Sequence, residues 1–241
     1  MQEVQHDNTQ PVKNSSPEGT PTVILYARHP RPGAVKTRLA RGIGAEAATA
    51  VYAHMLEHAL AQLEPLSTRM RVVIDAAGEN DVSLLRARAP WVANVRPQRA
   101  GDIGERMAQS FARAFDEGAC FALLLGSDLP GFETSMLVDA VHALETHGAV
   151  FGPAQDGGYW LVGLRRTCAD LFVEIPWDGQ GVYEATLHRA ARCGLSCAEV
   201  PTLKDIDTVT DLHSWCCTYP NRPLTHSFRS ILSRTETTTI S

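Results

Sequence analysis

The sequence predicts an α/β fold: a three-layer α/β/α sandwich around a mainly parallel central sheet. Short, continuously apolar runs such as Thr22–Ala27 (TVILYA) and 120–125 (CFALLL) read as strands buried on both faces. They alternate with segments whose apolar residues recur at helical spacing, the order that builds a parallel sheet covered on both sides. The 241 residues, 44% of them apolar, suffice for one such domain and exclude wholesale disorder or a fibrous repeat.

In chain order, Thr22–Ala27 is the first strand. Ala45–Leu63 is a helix, because residues 51, 52, 55, 56, 59, 60 and 63 are apolar and fall on one face. RVVID at 71–75 is the second strand and is followed by a helix near 80–89. A short strand is expected at 94–97. A helix over 103–117 carries Met107, Phe111, Ala114 and Phe115 on one side. The most apolar strand, 120–125, ends at Gly126-Ser127-Asp128, and a helix over 133–147 carries Leu137, Val141 and Leu144. Strands at 149–153 and 159–164, a helix at 181–193, a strand near 196–200 and a helix at 209–217 complete the domain. Residues 1–20 are polar and predict a disordered leader; 21–217 form the single domain. The Ser/Thr-rich 218–241 predict a flexible tail in which Phe228, Ile231 and Leu232 could form one apolar turn.

The 22 basic and 27 acidic residues leave a net charge of −5, which argues against a nucleic-acid partner and makes any positive site local. No apolar run approaches a membrane span, and residues 1–19 lack the apolar core of a secretory signal. Six cysteines without framework spacing point to reduced thiols and a cytoplasmic setting.

Three motifs are rejected. Gly42-Ile43-Gly44-Ala45-Glu46-Ala47 imitates a dinucleotide fingerprint but stands some fourteen residues beyond the first strand, so its glycines read as caps. His54-Met55-Leu56-Glu57-His58 imitates a zinc-protease motif, but His54, Glu57 and His58 point away from the apolar face. Gly33-Ala34-Val35-Lys36-Thr37 lacks the glycine that a phosphate-binding P-loop needs before its lysine.

Sheets of this kind bind ligands beyond the carboxyl ends of their strands. After the first strand the chain reads Arg28-His29-Pro30-Arg31-Pro32-Gly33-Ala34-Val35-Lys36-Thr37-Arg38, a cluster of titratable and cationic groups on a loop stiffened by proline. Lys36 to Arg38 open a helix, where cations oppose the helix dipole, so a bound polyphosphate explains them better than stability does. A solvated basic loop is the bland alternative. After the fourth strand, Asp128 sits at a buried mouth that disfavours an unpaired carboxylate, and it suits magnesium, which takes one or two carboxylates and completes its shell with phosphates and water. Asp156-Gly157-Gly158-Tyr159-Trp160 places an acid on a turn before aromatics. In Lys204-Asp205-Ile206-Asp207-Thr208, Asp205 and Asp207 share one side of an extended segment, although Asp207 could equally cap the helix at 209.

The motifs PRPGAVKTRLA, QRAGDIGERM, GSDLPG, GPAQDGGYWLVGL and KDIDTVTDL occur in that order across nearly all of 22–217. Together they resemble the bacterial arsenosugar-type glycosyltransferase family of the nucleotide-diphospho-sugar transferase (glycosyltransferase-A) superfamily, a Rossmann-like fold. The resemblance implies a nucleotide held by Arg28, Pro32, Gly33, Lys36, Arg38, Gly101 and Asp102. It implies Mg²⁺ or Mn²⁺ at Asp128 with Asp205 or Asp207 as partner. It also implies a small-molecule acceptor near Gly157, Gly158, Tyr159, Trp160 and Trp177, with Asp156 or Asp178 as base. Trp160 stands where the family has tyrosine, and Trp177-Asp178-Gly179 where it has a Ser/Thr pair. The expected activity is sugar transfer from a nucleotide sugar. The alternatives are nucleotidyl transfer from a nucleoside triphosphate, as in the similar phospholactate guanylyltransferases, and nucleotide binding without turnover.

Overall fold

The computed structural model describes residues 19–177 and 180–238; most of the expected leader, and Asp178, lie outside the described residues. Seven strands, β1 (Thr22–Ala27), β2 (Arg71–Ala76), β3 (Asn94–Pro97), β4 (Ala122–Gly126), β5 (Ala149–Pro153), β6 (Tyr159–Leu164) and β7 (Cys197–Glu199), form one sheet in the order β3-β2-β1-β4-β6-β5-β7. Every pairing is parallel except those of β6, which runs antiparallel to both β4 and β5. The helices are α1 (Thr37–Ile43), α2 (Ala45–Leu63), α3 (Glu79–Arg88), α4 (Ile103–Asp116), α5 (Thr134–Thr146), α6 (Val182–Arg192), α7 (Val209–Thr218) and α8 (Pro223–Thr238).

The pleat divides each central strand between two cores. Val23 and Leu25 of β1 and Leu123 and Leu125 of β4 pack with α2, α5, α7 and α8, whereas Ile24, Ala122 and Leu124 pack with α4 and α6. Burial on both faces is why these strands read as unbroken apolar runs rather than alternating ones. The chain leaves β1 for β2 on one side and pairs β1 with β4 on the other, so the strand order reverses beside β1, and a crevice opens at the carboxyl ends of β1 and β4.

The described part of the expected flexible tail, 218–238, departs from that expectation. Within it, Pro223–Thr238 is a helix that packs on α2 and α7, with Phe228 and Thr225 fully buried and Leu224, Ile231 and Leu232 against the same core. Arg229 donates to the Cys216 carbonyl at 3.0 Å and Thr225 Oγ1 to the Tyr219 carbonyl at 2.6 Å, tying α8 to α7. Positions 224, 228, 231 and 232 are spaced as one helical stripe, which Ser/Thr-rich composition had masked. Pro223 suits the first helical position, where its missing N–H costs nothing.

Candidate functional site

The loop after β1 is built by its own sequence and by α3. Pro32 and Gly33 occupy the centre of a tight turn closed by Ala34 N–H donating to the Arg31 carbonyl at 3.0 Å. Gly33 has φ +78°, the value a type II turn requires after proline. Asp81, almost fully buried on α3, accepts from the His29 amide at 3.1 Å and pairs with the Arg31 guanidinium. Pro32 and Gly33 thus shape the loop and border neither cavity described below, and Arg31 is spent on Asp81.

Lys36 follows, with φ 46° and ψ 49°, a left-handed conformation that costs a side-chain-bearing residue strain. Its ammonium lies 2.8 Å from Asp128 Oδ2 and 2.7 Å from Asp207 Oδ1, with the side chain only 5% exposed. Burial opposes the charge, but the two carboxylates outweigh it and hold the Lys36 pKa above its ordinary value. Arg38 Nη1 stands 3.5 Å from Asp207 Oδ2. Asp207 does not cap α7: Thr208 does, in a reciprocal capping box with Asp211, which leaves Asp207 to face Lys36.

These groups border a cavity of about 510 Å³, also lined by Tyr26, Arg28, Tyr52, Gln98, Arg106 and Ser127. The Arg28 side chain forms no ion pair among the described residues. Arg106 donates to Gln98 Oε1 at 3.1 Å and to the Asp102 carbonyl at 3.2 Å, neither of them a charged partner. The side chain of Asp102 is committed elsewhere, capping α4 through a box with Glu105, and neither Gly101 nor Asp102 lines the cavity. Arg106 and Gln98, one turn and one loop away in the motif QRAGDIGERM, provide the wall in their place. Beneath them Asp75 is fully buried, bonded by Ser110 and paired with Arg96 Nε at 2.8 Å. Ser110 in turn bonds the Tyr26 hydroxyl at 2.9 Å, which fixes Tyr26 at the cavity wall.

Asp205 faces another cavity, shared with Lys204, Trp215 and Tyr219, and has no ion-pair partner among the described residues. Burial, reinforced by Asp207, pushes its carboxyl up to about 6 from 3.8, against the pull of Lys36. A raised carboxyl pKa means that the fold penalises the charged form. The penalty is absent below pH 4, grows between 4 and 6, and is complete above that. Asp205→Asn should therefore raise stability at pH 8 by about 1 kcal/mol after solvent screening, and leave it unchanged below pH 4. Thermal melts across that range check it; equal shifts at both ends would overturn it.

A second cavity, about 590 Å³, adjoins the first through Tyr26, Arg38, Ile103 and Gly126, and is also lined by Asp156, Gly158, Tyr159, Trp160 and Trp177. Asp156 Oδ1 accepts from the Gly158 amide at 3.0 Å, an Asx turn that leaves Oδ2 without a donor among the described residues. Gly157 takes φ +90° in that turn and lines neither cavity. Trp160 is buried against Phe132 and donates its indole N–H to the Pro201 carbonyl at 3.0 Å, so it borders the cavity as part of its frame. Trp177 lies over Gly104, where a Cβ would approach its ring to 2.8 Å.

The rejected zinc motif is accounted for by local structure. His58 Nε2 lies 2.8 Å from the Phe132 carbonyl, and Glu57 pairs with Arg88 at 3.3 Å. Gly44 stands between α1 and α2 as expected of a cap, whereas Gly42 lies inside α1, where any Cβ would strike Val209. No cysteine is in a disulfide. Among the described residues no helix is long and apolar enough to cross a membrane.

Among the described residues no three His, Cys, Asp or Glu side chains converge as a metal cluster. Asp128 and Asp207 do converge on a single cationic point, and hard carboxylate oxygens in that number match an ion that completes its shell with phosphate and water. The Asp128–Asp207 pair fits Mg²⁺ or Mn²⁺, whereas Asp205 lines a different cavity.

The profile of a family described as "Uncharacterized protein conserved in bacteria (DUF2064)" matches residues 48–179. A comparison with curated proteins finds no match. Among solved structures, a Desulfovibrio desulfuricans protein provisionally named as a nucleotide-diphospho-sugar transferase is 30% identical, with TM-score 0.79 over 90% of this chain and 95% of that one. A CMP:2-keto-3-deoxy-manno-octonic acid synthetase complexed with CTP is 10% identical, with TM-score 0.53 over 83% and 98%. Glucosyl-3-phosphoglycerate synthase of Mycobacterium tuberculosis, complexed with Mn²⁺, UDP and glucosyl-3-phosphoglycerate, is 16% identical, with TM-score 0.51 over 90% and 80%. The last two likenesses are of fold.

Proposed function

The chain belongs to the DUF2064 family of bacterial proteins, and we propose that it is a metal-dependent transferase that moves a sugar from a nucleotide sugar to a small hydroxylated acceptor. One observation carries the proposal: the crevice at the ends of β1 and β4 gathers Arg28, Arg38 and Arg106 around a carboxylate pair bridged by Lys36. That is the charge pattern of a polyphosphate site with a cation position at its edge. The likeness to a provisionally named nucleotide-diphospho-sugar transferase supports the same reading.

In this reading the three guanidiniums bind the diphosphate and neutralise it as it departs, a preorganised electrostatic contribution of the kind that dominates many transferases. Asp128 and Asp207 would hold the divalent ion, which when bound supplies further neutralisation of phosphate charge. The adjoining cavity takes the acceptor, and the free Oδ2 of Asp156 receives the acceptor's hydroxyl proton. Asp178, the other expected base, lies outside the described residues.

A second reading, nucleotidyl transfer, is favoured by one feature. With Lys36 engaged by acids, three arginines still face the cavity, more than one metal-bound diphosphate requires. Product analysis decides between them, with cell extract as acceptor source. Nucleoside diphosphate released from a nucleotide sugar is the expected result, and pyrophosphate released from a nucleoside triphosphate would overturn it.

A further inference from the structure

The ammonium of Lys36 and a divalent ion compete for the same two oxygens. Lys36 Nζ sits 2.8 Å from Asp128 Oδ2 and 2.7 Å from Asp207 Oδ1, its side chain 5% exposed and its backbone in the left-handed region. A magnesium or manganese ion bound by those carboxylates would stand about 2.1 Å from each oxygen, at the place the ammonium fills. Both cannot be there.

We infer that Lys36 is a resident cation that closes the Asp128–Asp207 pair to a lone divalent ion and releases it when nucleotide phosphates draw the ammonium away. The inference rests on the metal-dependent reading above. The cavity that would receive the phosphates is lined by Lys36 itself together with Arg28, Arg38 and Arg106, so the ammonium needs only to swing on its own four-carbon stem. The move exchanges one set of anionic partners for another and uncovers both carboxylates at once. Linkage then requires the coupling to be mutual: phosphate tightens metal binding, and metal tightens phosphate binding. The consequence is ordered loading, in which ion and nucleotide arrive together and neither occupies the site well alone.

The test uses Mn²⁺ and inorganic pyrophosphate as probes, with bound Mn²⁺ measured by loss of its free electron-paramagnetic signal and by thermal shift. Wild-type protein should bind Mn²⁺ alone at least tenfold more weakly than Lys36→Gln, and Lys36→Arg, which keeps the charge, should stay weak like the wild type. Mn²⁺ alone should raise the melting temperature of Lys36→Gln but not that of the wild type, which should respond only when pyrophosphate is added. Should Lys36→Gln fail to fold without metal, Lys36→Met, which keeps the apolar stem, carries the comparison. Equal Mn²⁺ affinity in wild type and variant, or weaker binding by the variant, overturns the lysine inference and leaves the metal reading standing. Absence of Mn²⁺ binding to every protein, with and without pyrophosphate, overturns the metal reading itself and the inference with it.

Discussion

Replacing Phe228 by alanine is expected to destabilise the protein by about 3–5 kcal/mol, the range for deleting a fully buried aromatic ring. Phe228 is 0% exposed and belongs to the same core as Leu56, Leu63 and Leu137, so its removal opens a cavity rather than a surface dent. Deleting 218–241 should do at least as much, since it also removes the Arg229–Cys216 and Thr225–Tyr219 bonds that hold α7 against α8. Because α7 follows Thr208 and Asp207 directly, loss of α8 should also loosen the Asp207 end of the site. Denaturant melts of the substitution and the truncation check this; a truncation that melts with the wild type would overturn it.

That helix marks the limit of what the sequence discloses. The sheet was legible because its strands are buried on both faces, and continuous apolar runs such as TVILYA have no other comfortable home. The tail was only partly legible: Phe228, Ile231 and Leu232 stood out as one apolar turn, but with Leu224 they are diluted among serines and threonines. Their helical spacing outweighs composition only once α2 and α7 offer a surface to pack on. The site divides in the same way. Lys36, Arg38 and Asp128 were legible because charged groups after buried strands demand partners, whereas Asp207 stood evenly between that role and a helix cap. What stayed hidden was that they are partners of one another. Pro32-Gly33 and Asp102 carry motif residues whose observed work is a turn and a helix cap. Arg106 and Gln98 escaped notice because an arginine and a glutamine on an exposed motif have no distinguishing spacing; only the fold turns them toward the cavity.

Asp128→Asn should lower turnover at least a hundredfold while the protein stays folded, equivalent to about 2.7 kcal/mol of barrier. Asp128 is half of the carboxylate pair, and its side chain is 38% exposed against 5% for Lys36, so it can reach a ligand that Lys36 must move to meet. An asparagine preserves shape and one oxygen but gives up the negative charge that a divalent ion requires. Stability should fall only slightly, because Lys36 keeps Asp207 at 2.7 Å and its buried charge is not orphaned. An unpaired acid at this mouth would have made the same change stabilising; the Lys36 contact reverses that sign. Rates of nucleoside diphosphate or pyrophosphate release, measured beside a melting curve, separate the two effects. Turnover within tenfold of the wild type would remove Asp128 from the reacting centre. A loss of turnover that tracks unfolding would assign it to structure alone. A folded protein with turnover reduced a hundredfold or more leaves the carboxylate pair as the group on which the phosphate chemistry depends.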